Sequence, residues 1–213
     1  GEKFAIFRVY IIHLLMIILR KVKMLNLTAL TTKYRSNLII STYKNWLKGS
    51  VKALDIGCGT GIVSWQLKKH FNLKLIGCDV EKYLRVDINF VLMEKPNRLP
   101  FKNNSFEMVF FNDVLHHTTK DDQEKLLKEA LRVAQKVVIF EDKPTLVNKI
   151  FDILLNKIHN PNMSLDLTHR KVREWQTLFK KIGAKVQTVH VKRPTFYPLS
   201  HVAFLLTKKK LLV

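Results

Sequence analysis

The chain has 213 residues, 47% of them hydrophobic and 10% aromatic, which suits one substantial domain with a small appendage but not two full domains. Its two cysteines, Cys58 and Cys78, exclude a disulfide framework and indicate buried thiols in a reducing, cytoplasmic compartment. The formal net charge of +20 is concentrated at the two ends: residues 1–54 carry ten Lys and Arg against one acidic residue, and residues 175–213 carry eight against none. Basic ends suit an anionic surface, either phospholipid headgroups or nucleic acid, although a lysine-rich composition bias would place the same charges on solvated faces.

Residues 1–50 are predicted to form an N-terminal helical extension of a main domain at 51–213. Within it, residues 9–19 are uncharged and are followed at once by the basic stretch RKVK. This run is shorter than the ~20 apolar residues that a membrane-spanning helix needs, and it lacks a small-residue cleavage site. We expect either a helix that dips into the anionic cytoplasmic leaflet as a peripheral anchor, or one that packs on the core or on a second copy of the chain. Residues 25–49 indicate one or two short helices that end at Gly49.

From residue 51 onward, strand and helix patterns alternate, which predicts an α/β fold with a parallel sheet covered by helices on both faces. The predicted strands cover residues 51–56, 73–79, 88–93, 106–113, 136–142, 185–192 and 200–209. The predicted helices cover residues 61–71, 121–134 and 172–182, and a further helix begins near Pro144. Because nothing helical separates the last two strands, they are expected to pair antiparallel.

The stretch VKALDIGCGTGIV places three glycines, Gly57, Gly59 and Gly61, in five positions between a strand and a helix. Small residues at such a turn let a ligand approach the backbone, and the unpaired amides of the helix N-terminus face that ligand. The dinucleotide fingerprint requires its third glycine at position 62, where this chain has Ile62. The spacing therefore argues against NAD.

The segment LDIGCGTG resembles motif I of the class I S-adenosylmethionine-dependent methyltransferases, and the chain is most similar to those of the type 11 group. The likeness continues in order through LIGCDV, LPFKNNSFEMVFFNDVLHH, LLKEALRVAQKVVIFED and HVAFLLTKK, over residues 51–209. The resemblance implies an enzyme with a Rossmann-like, seven-stranded methyltransferase sheet whose last strand is antiparallel. It also implies S-adenosyl-L-methionine as the cofactor.

The chemistry of S-adenosylmethionine agrees with the residues at these motifs. Asp79 ends the second strand, where a carboxylate can accept hydrogen bonds from the ribose diol. Asp55 lies near the cationic sulfonium and amino groups, or alternatively braces the turn through backbone amides. Leu99 resembles the apolar wall near the adenine, but the acidic residue common four positions earlier is replaced by Lys95, so that Glu94 or Asn97 would have to substitute. The predicted cofactor-binding residues are Asp55, Gly57, Cys58, Gly59, Gly61, Asp79, Val80, Leu99 and Asn112.

Methyltransferases line the transfer site with the residues that follow the fourth strand, which here are Asn112, Asp113, His116 and His117. Neighbouring helical histidines point about 100° apart and cannot easily share one metal ion, so no metal is expected and one histidine is expected to pack while the other borders the pocket. The candidates for a catalytic group are His116, His117 and Asp142, but no base is assigned. The insertion at residues 158–169 is expected to cover the acceptor.

The predicted function is methyl transfer to a small-molecule or lipid-like acceptor, in which the protein aligns the reactants and excludes water. A nucleic-acid acceptor such as RNA is an alternative that the charge favours, whereas NDVL at residues 112–115 lacks the base-gripping N/D-P-P-Y/F motif. A second alternative is a non-catalytic protein that binds S-adenosylmethionine and serves as a scaffold. The intact glycine turn and Asp79 argue against loss of cofactor binding, though not against loss of turnover.

Overall fold

The structure is a computed structural model that describes residues 24–49, 51–150, 153, 167–192, 197 and 199–208. Its strands are β1 (Lys52–Ile56), β2 (Lys74–Asp79), β3 (Asn89–Leu92), β4 (Phe106–Asn112), β5 (Ala134–Asp142), β6 (Ala184–His190) and β7 (His201–Lys208). The helices are α1 (Met24–Tyr43), α2 (Ile62–Phe71), α3 (Lys120–Val133) and α4 (Val172–Lys181), with a 3-10 turn at Leu115–His117. Residues 146–150 are also helical.

The strands form one seven-stranded sheet in the order β3-β2-β1-β4-β5-β7-β6. Strands β1 to β5 pair in parallel, whereas β7 lies between β5 and β6 and is antiparallel to both. The expected Rossmann-like methyltransferase sheet with its last strand antiparallel is therefore confirmed. In such open sheets, ligands bind beyond the carboxyl ends of the parallel strands. That edge carries the glycine turn and the loops after β2, β4 and β5.

Two hydrophobic clusters lie on opposite faces of the sheet, because successive residues of a strand point to opposite sides. One cluster holds Leu127 of α3 and Trp175 of α4, and the other holds Tyr43 of α1 and Leu67 of α2. All four side chains are at most 1% exposed. Helices thus cover both faces, as the alternating pattern predicts.

The N-terminal helix differs from the sequence prediction. Residues 24–43 form one continuous helix, so its end lies at Tyr43 and not at Gly49. Leu38, Ile39 and Tyr43 are buried on the α2 face of the sheet. The described part of the 1–50 extension therefore belongs to the same core as the domain that follows it. The apolar run at residues 9–19 lies outside the described residues, and among those described no helix is long and apolar enough to cross a membrane.

Local sequence signals set the ends of the elements near the site. The Thr119 hydroxyl caps α3 by accepting a hydrogen bond from the Asp122 amide at 3.1 Å. At the end of α4, Gly183 adopts a φ of 73°, which glycine tolerates better than other residues. The link between β2 and β3 contains no helix, in agreement with its short length. By contrast, α3 passes directly into β5, so the strand begins at Ala134, two residues earlier than predicted.

Candidate functional site

The three glycines of the turn are needed for different reasons. A Cβ on Gly57 would lie 2.1 Å from Val114 Cγ2, and one on Gly61 would lie 2.7 Å from Leu84 Cδ2. A Cβ on Gly59 would meet nothing within 4 Å. Two of the glycines therefore make room for neighbouring protein loops, and only Gly59 faces open space that a ligand can occupy. All three have positive φ, between 51° and 75°, which disfavours other residues.

Asp79 at the end of β2 is bonded to this turn. Its Oδ2 accepts a hydrogen bond from the Gly59 amide at 2.8 Å, and its Oδ1 accepts one from the Val80 amide at 2.8 Å. Burial raises the pKa of Asp79, although both amides oppose the shift by stabilising the carboxylate. A carboxylate oxygen can accept more than one hydrogen bond, so Asp79 retains capacity for a diol. Beside it, the Val80 side chain is 50% exposed and offers an apolar surface.

Cys58 contributes its backbone to the turn and not a reactive thiol. Burial raises the pKa of the thiol well above its ordinary value, so it is not a thiolate nucleophile at neutral pH. A Cβ on Gly77 would lie 2.8 Å from Cys58 Sγ, which shows that this side chain packs against β2. The sequence predicts two buried thiols; Cys78 is buried, whereas Cys58 is half-buried.

A buried chain of hydrogen bonds connects α1 to the glycine turn. The Tyr43 hydroxyl donates to Asn112 Oδ1 at 2.7 Å, and Asn112 Nδ2 donates to Asp55 Oδ1 at 2.9 Å. The Ser64 hydroxyl, on α2, donates to Asp55 Oδ2 at 2.5 Å. Asp55 is therefore held by side chains, which differs from the alternative that it braces the turn through backbone amides. Burial raises the pKa of Asp55 to about 6, despite these two hydrogen bonds.

The predicted adenine wall is less open than the sequence suggests. Leu99 is 2% exposed within the core cluster, and its amide donates to Glu129 Oε2 at 3.0 Å. Of the two residues predicted to replace the missing acid, Asn97 donates from Nδ2 to Asp122 Oδ1 at 2.7 Å, while Glu94 is exposed. The adenine contact stays a prediction.

The loop after β4 is fastened by Glu141 of β5. Its Oε1 accepts hydrogen bonds from the Val114 and Leu115 amides at 3.0 and 2.7 Å, and its Oε2 lies 2.6 Å from His116 Nδ1. His116 is 1% exposed and stacks on His169, with ring centroids 4.7 Å apart. His116 is thus the packed histidine that the sequence leads us to expect. Its catalytic role stays a prediction that this burial does not favour.

His117 is half-buried beside His116, with ring centroids 4.1 Å apart. Of the predicted cover at 158–169, residues 158–166 lie outside the described residues. Thr168 donates its amide to the His116 carbonyl at 2.8 Å, so the described end of this insertion lies against the loop after β4.

A charged cluster lies at the same edge of the sheet, where β4 and β5 end and β7 begins. Asp142 Oδ1 accepts hydrogen bonds from His201 Nε2 at 2.9 Å and from Asn148 Nδ2 at 2.8 Å. Asp113 Oδ1 lies 3.9 Å from the same His201 nitrogen, and Asp113 Oδ2 lies 3.3 Å from a guanidinium nitrogen of Arg35 on α1. We name the three residues Asp113, Asp142 and His201 the carboxylate–histidine cluster.

Sequence reasoning named Asp142 as a catalytic candidate and placed Asp113 near the transfer site, but it missed Arg35 and His201. The antiparallel pairing of β5 with β7 sets His201 directly opposite Asp142, a register that no local pattern reveals. Ligand atoms of the cluster lie within 4.8 Å of one another, a spacing that a divalent cation could also use. However, part of the cluster's negative charge is already compensated by the Arg35 guanidinium and by the hydrogen bond from His201 to Asp142.

A cavity of 340 Å³ lies elsewhere, next to Val51, Glu107 and Lys136. These residues stand at the amino-terminal edge of β1, β4 and β5. Ligands of open α/β sheets bind at the opposite edge, so we do not assign this cavity to the reaction.

Residues 54–140 match the family model described as a methyltransferase domain. This match covers the glycine turn, Asp79 and the loop after β4, on the fold described above. The chain contains a class I S-adenosylmethionine-dependent methyltransferase domain. The methyltransferase's predicted cofactor residues meet at the carboxyl edge of β1, β2 and β4, apart from Leu99, which lies in the core. The open space at Gly59 beside Asp79 fits the cofactor.

Solved structures with the same fold share little sequence with this methyltransferase. An S-adenosylmethionine-dependent methyltransferase from Archaeoglobus fulgidus is 16% identical, with a TM-score of 0.57 over 81% of this chain and 94% of that one. The 1,6-didemethyltoxoflavin-N1-methyltransferase of Burkholderia thailandensis is 13% identical, with a TM-score of 0.59 over 83% of this chain and 77% of that one. Phosphoethanolamine N-methyltransferase 2 of Haemonchus contortus is 15% identical, with a TM-score of 0.57 over 76% of this chain and 50% of that one. A search of curated proteins gives no match.

Proposed function

We propose that this methyltransferase acts on a small-molecule or lipid-like acceptor whose reacting group binds beside the carboxylate–histidine cluster. The observation that carries the proposal is the closeness of this cluster to the cofactor turn. Asp113 directly precedes Val114, and Val114 lies so close to Gly57 that no Cβ fits between them. A group bound at Asp113 is therefore a short distance from the cofactor.

The enclosure of the cluster favours a small reacting group. Helix α1 supplies Arg35 to Asp113, and Tyr34 of the same helix lies 4.7 Å from Tyr197, measured between ring centroids. Tyr197 in turn stacks on His201, and both are nearly inaccessible to solvent. Walls of this kind admit a narrow substituent more readily than a base within a nucleic-acid duplex.

When bound, S-adenosylmethionine supplies a methyl group activated by attachment to a sulfonium. The protein's own part is to bind, orient and shield. Gly59 leaves the space, Asp79 holds the turn and offers acceptors to a diol, and Asp55 places a buried negative charge near a cationic ligand. Excluding water from such a site strengthens each of these electrostatic interactions.

Two similar structures are consistent with this acceptor class, since their names refer to 1,6-didemethyltoxoflavin and to phosphoethanolamine. The lipid-like form of the acceptor and a peripheral position on the cytoplasmic membrane face are proposals that rest on the basic, apolar N-terminal sequence. A nucleic-acid acceptor is the second candidate, and the net charge of +20 favours it.

The acceptor class is tested by incubating the full chain and tritiated S-adenosylmethionine separately with a small-metabolite extract, a lipid extract and total RNA. We expect label in the small-metabolite or the lipid fraction, and strongly reduced label with Asp79→Ala as the matched control. Label confined to RNA would overturn the proposal. Cofactor binding without S-adenosylhomocysteine formation in any fraction would instead support the non-catalytic scaffold.

A further inference from the structure

Negative charge is in excess where the acceptor is proposed to bind. Four carboxylates, those of Asp55, Asp113, Glu141 and Asp142, are buried near the carboxyl ends of β1, β4 and β5. Among the ion pairs of the described residues, Arg35 is the one Lys or Arg that contacts any of them. These carboxylates also act on the Tyr43 hydroxyl. Burial is the main cause of its raised pKa, and the negative charges of Asp55, Asp113 and Glu141 raise the pKa further.

Asp113 is the carboxylate of this group whose hydrogen bonding is incomplete. Its side chain is only 7% exposed, yet no hydrogen-bond donor within the described part of the chain reaches either of its oxygens. Glu141 and Asp142 differ, because each accepts at least two hydrogen bonds from the protein. Arg35 forms an ion pair with Asp113 Oδ2, and Oδ1 is the oxygen that faces His201. A buried carboxylate without a donor is costly unless a ligand supplies one.

The common methyl acceptors respond differently to such a site. Hydroxyl, thiol and carbon acceptors develop negative charge when they lose a proton to become nucleophiles, and buried carboxylates oppose that charge. An amine binds as an ammonium cation, attacks as a neutral nitrogen and leaves as a methylated ammonium cation. Buried carboxylates stabilise both of these cations.

We infer that the carboxylate–histidine cluster is an ammonium-binding site, so that the acceptor reacts through an amine nitrogen and Asp113 accepts its proton. This inference rests on the proposed function. In the proton step, one N–H bond of R–NH₃⁺ breaks and an O–H bond forms on Asp113, while the nitrogen keeps the electron pair as neutral R–NH₂. That lone pair is the nucleophile for the methyl group. The proton passes to solvent when the product leaves.

The groups that face Asp113 suit it to this proton transfer. Its pKa is raised to about 7: burial makes the largest contribution, His201 and Arg35 oppose the rise, and Asp142 and Glu141 add to it. A carboxylate with a pKa near neutrality can both bind an ammonium ion and take up its proton. Asp142, which accepts from Asn148 and His201, acts as a positioning residue for His201.

The site is tested with ethanolamine, which is an ammonium ion at neutral pH, and with propan-1-ol, its uncharged isostere. The full chain is saturated with S-adenosylhomocysteine, and each probe is titrated while the Asp113 amide and the His201 imidazole are followed by NMR. We expect ethanolamine to bind at least about ten-fold more tightly than propan-1-ol. Asp113→Asn should abolish this preference, whereas Asp121→Asn, the same charge change at an exposed position on α3, should keep it.

Arg35→Gln provides a variant with the opposite expected sign. Removal of this cation should tighten ethanolamine binding by about three- to ten-fold, a gain that a purely structural role of the cluster does not predict. The inference is wrong if ethanolamine and propan-1-ol perturb the site equally, or if neither does. It is also wrong if Mn²⁺ or Zn²⁺ binds the wild type but not Asp113→Asn, because the cluster is then a metal site. Ammonium binding without methyl transfer to any fraction would refute the proposed function and leave the ammonium site standing.

Discussion

Alanine substitutions in the glycine turn should separate protein packing from cofactor binding. Gly57→Ala places a Cβ 2.1 Å from Val114 Cγ2, and neither loop can shift freely because Glu141 holds the Val114 amide. We expect the free energy of unfolding to fall by about 1–2 kcal/mol because the backbone is left-handed, and by a further ~1–3 kcal/mol because the site is overpacked. Gly59→Ala meets no neighbour, so its unfolding free energy should fall by the backbone contribution of about 1–2 kcal/mol alone. Gly183→Ala, also at positive φ in open space, is the matched control.

Urea unfolding measures the stability of the three variants, and isothermal titration with S-adenosylhomocysteine measures their cofactor affinity. Gly59→Ala should lose at least about ten-fold in affinity, or about 1.4 kcal/mol, because its methyl group occupies the open space beside Asp79. Gly183→Ala should bind as the wild type does. If Gly57→Ala is no less stable than Gly183→Ala, the contact with Val114 is wrong. If Gly59→Ala binds normally, the cofactor does not approach the turn at this position.

Three further predictions concern the cofactor, the buried network and the N-terminus. Asp79→Ala should weaken S-adenosylhomocysteine binding by about 1.5–3 kcal/mol in isothermal titration, whereas Glu81→Ala, an exposed neighbour, should not; equal affinities would remove Asp79 from the site. Burial raises the pKa of Asp55 from 3.8 to about 6, so the folded state holds a proton that the unfolded state releases between these values. Its contribution to stability is therefore present below about pH 4 and lost as the pH rises through about 6, on the order of 3 kcal/mol. In urea unfolding, the free energy of unfolding of Asp55→Asn should therefore fall less steeply between about pH 4 and 6 than that of the wild type. Equal pH dependence in the two proteins would contradict the assigned pKa. Full-length protein should float with anionic liposomes, and a chain that begins at Met24 should not; equal retention in the soluble fraction would end the membrane proposal.

Patterns within short segments determined most of the fold. The strand before Gly57 and the helix after Gly61 follow from hydrophobic periodicity, and the turn between them requires residues that accept positive φ. The position of Asp79 at a strand end depends on the same local signals. These features are readable from the sequence because each arises from neighbouring residues, whose backbone preferences act before any distant contact forms.

Tertiary structure alone decided which residues share the site. Arg35 comes from the N-terminal helix and His201 from the last strand, and they meet Asp113 only because α1 packs on the sheet and β7 inserts between β5 and β6. The same packing shows that Val114, and not a ligand, requires Gly57, while Gly59 faces open space. No periodicity encodes these contacts, because they depend on how segments far apart in the chain bury their apolar faces together.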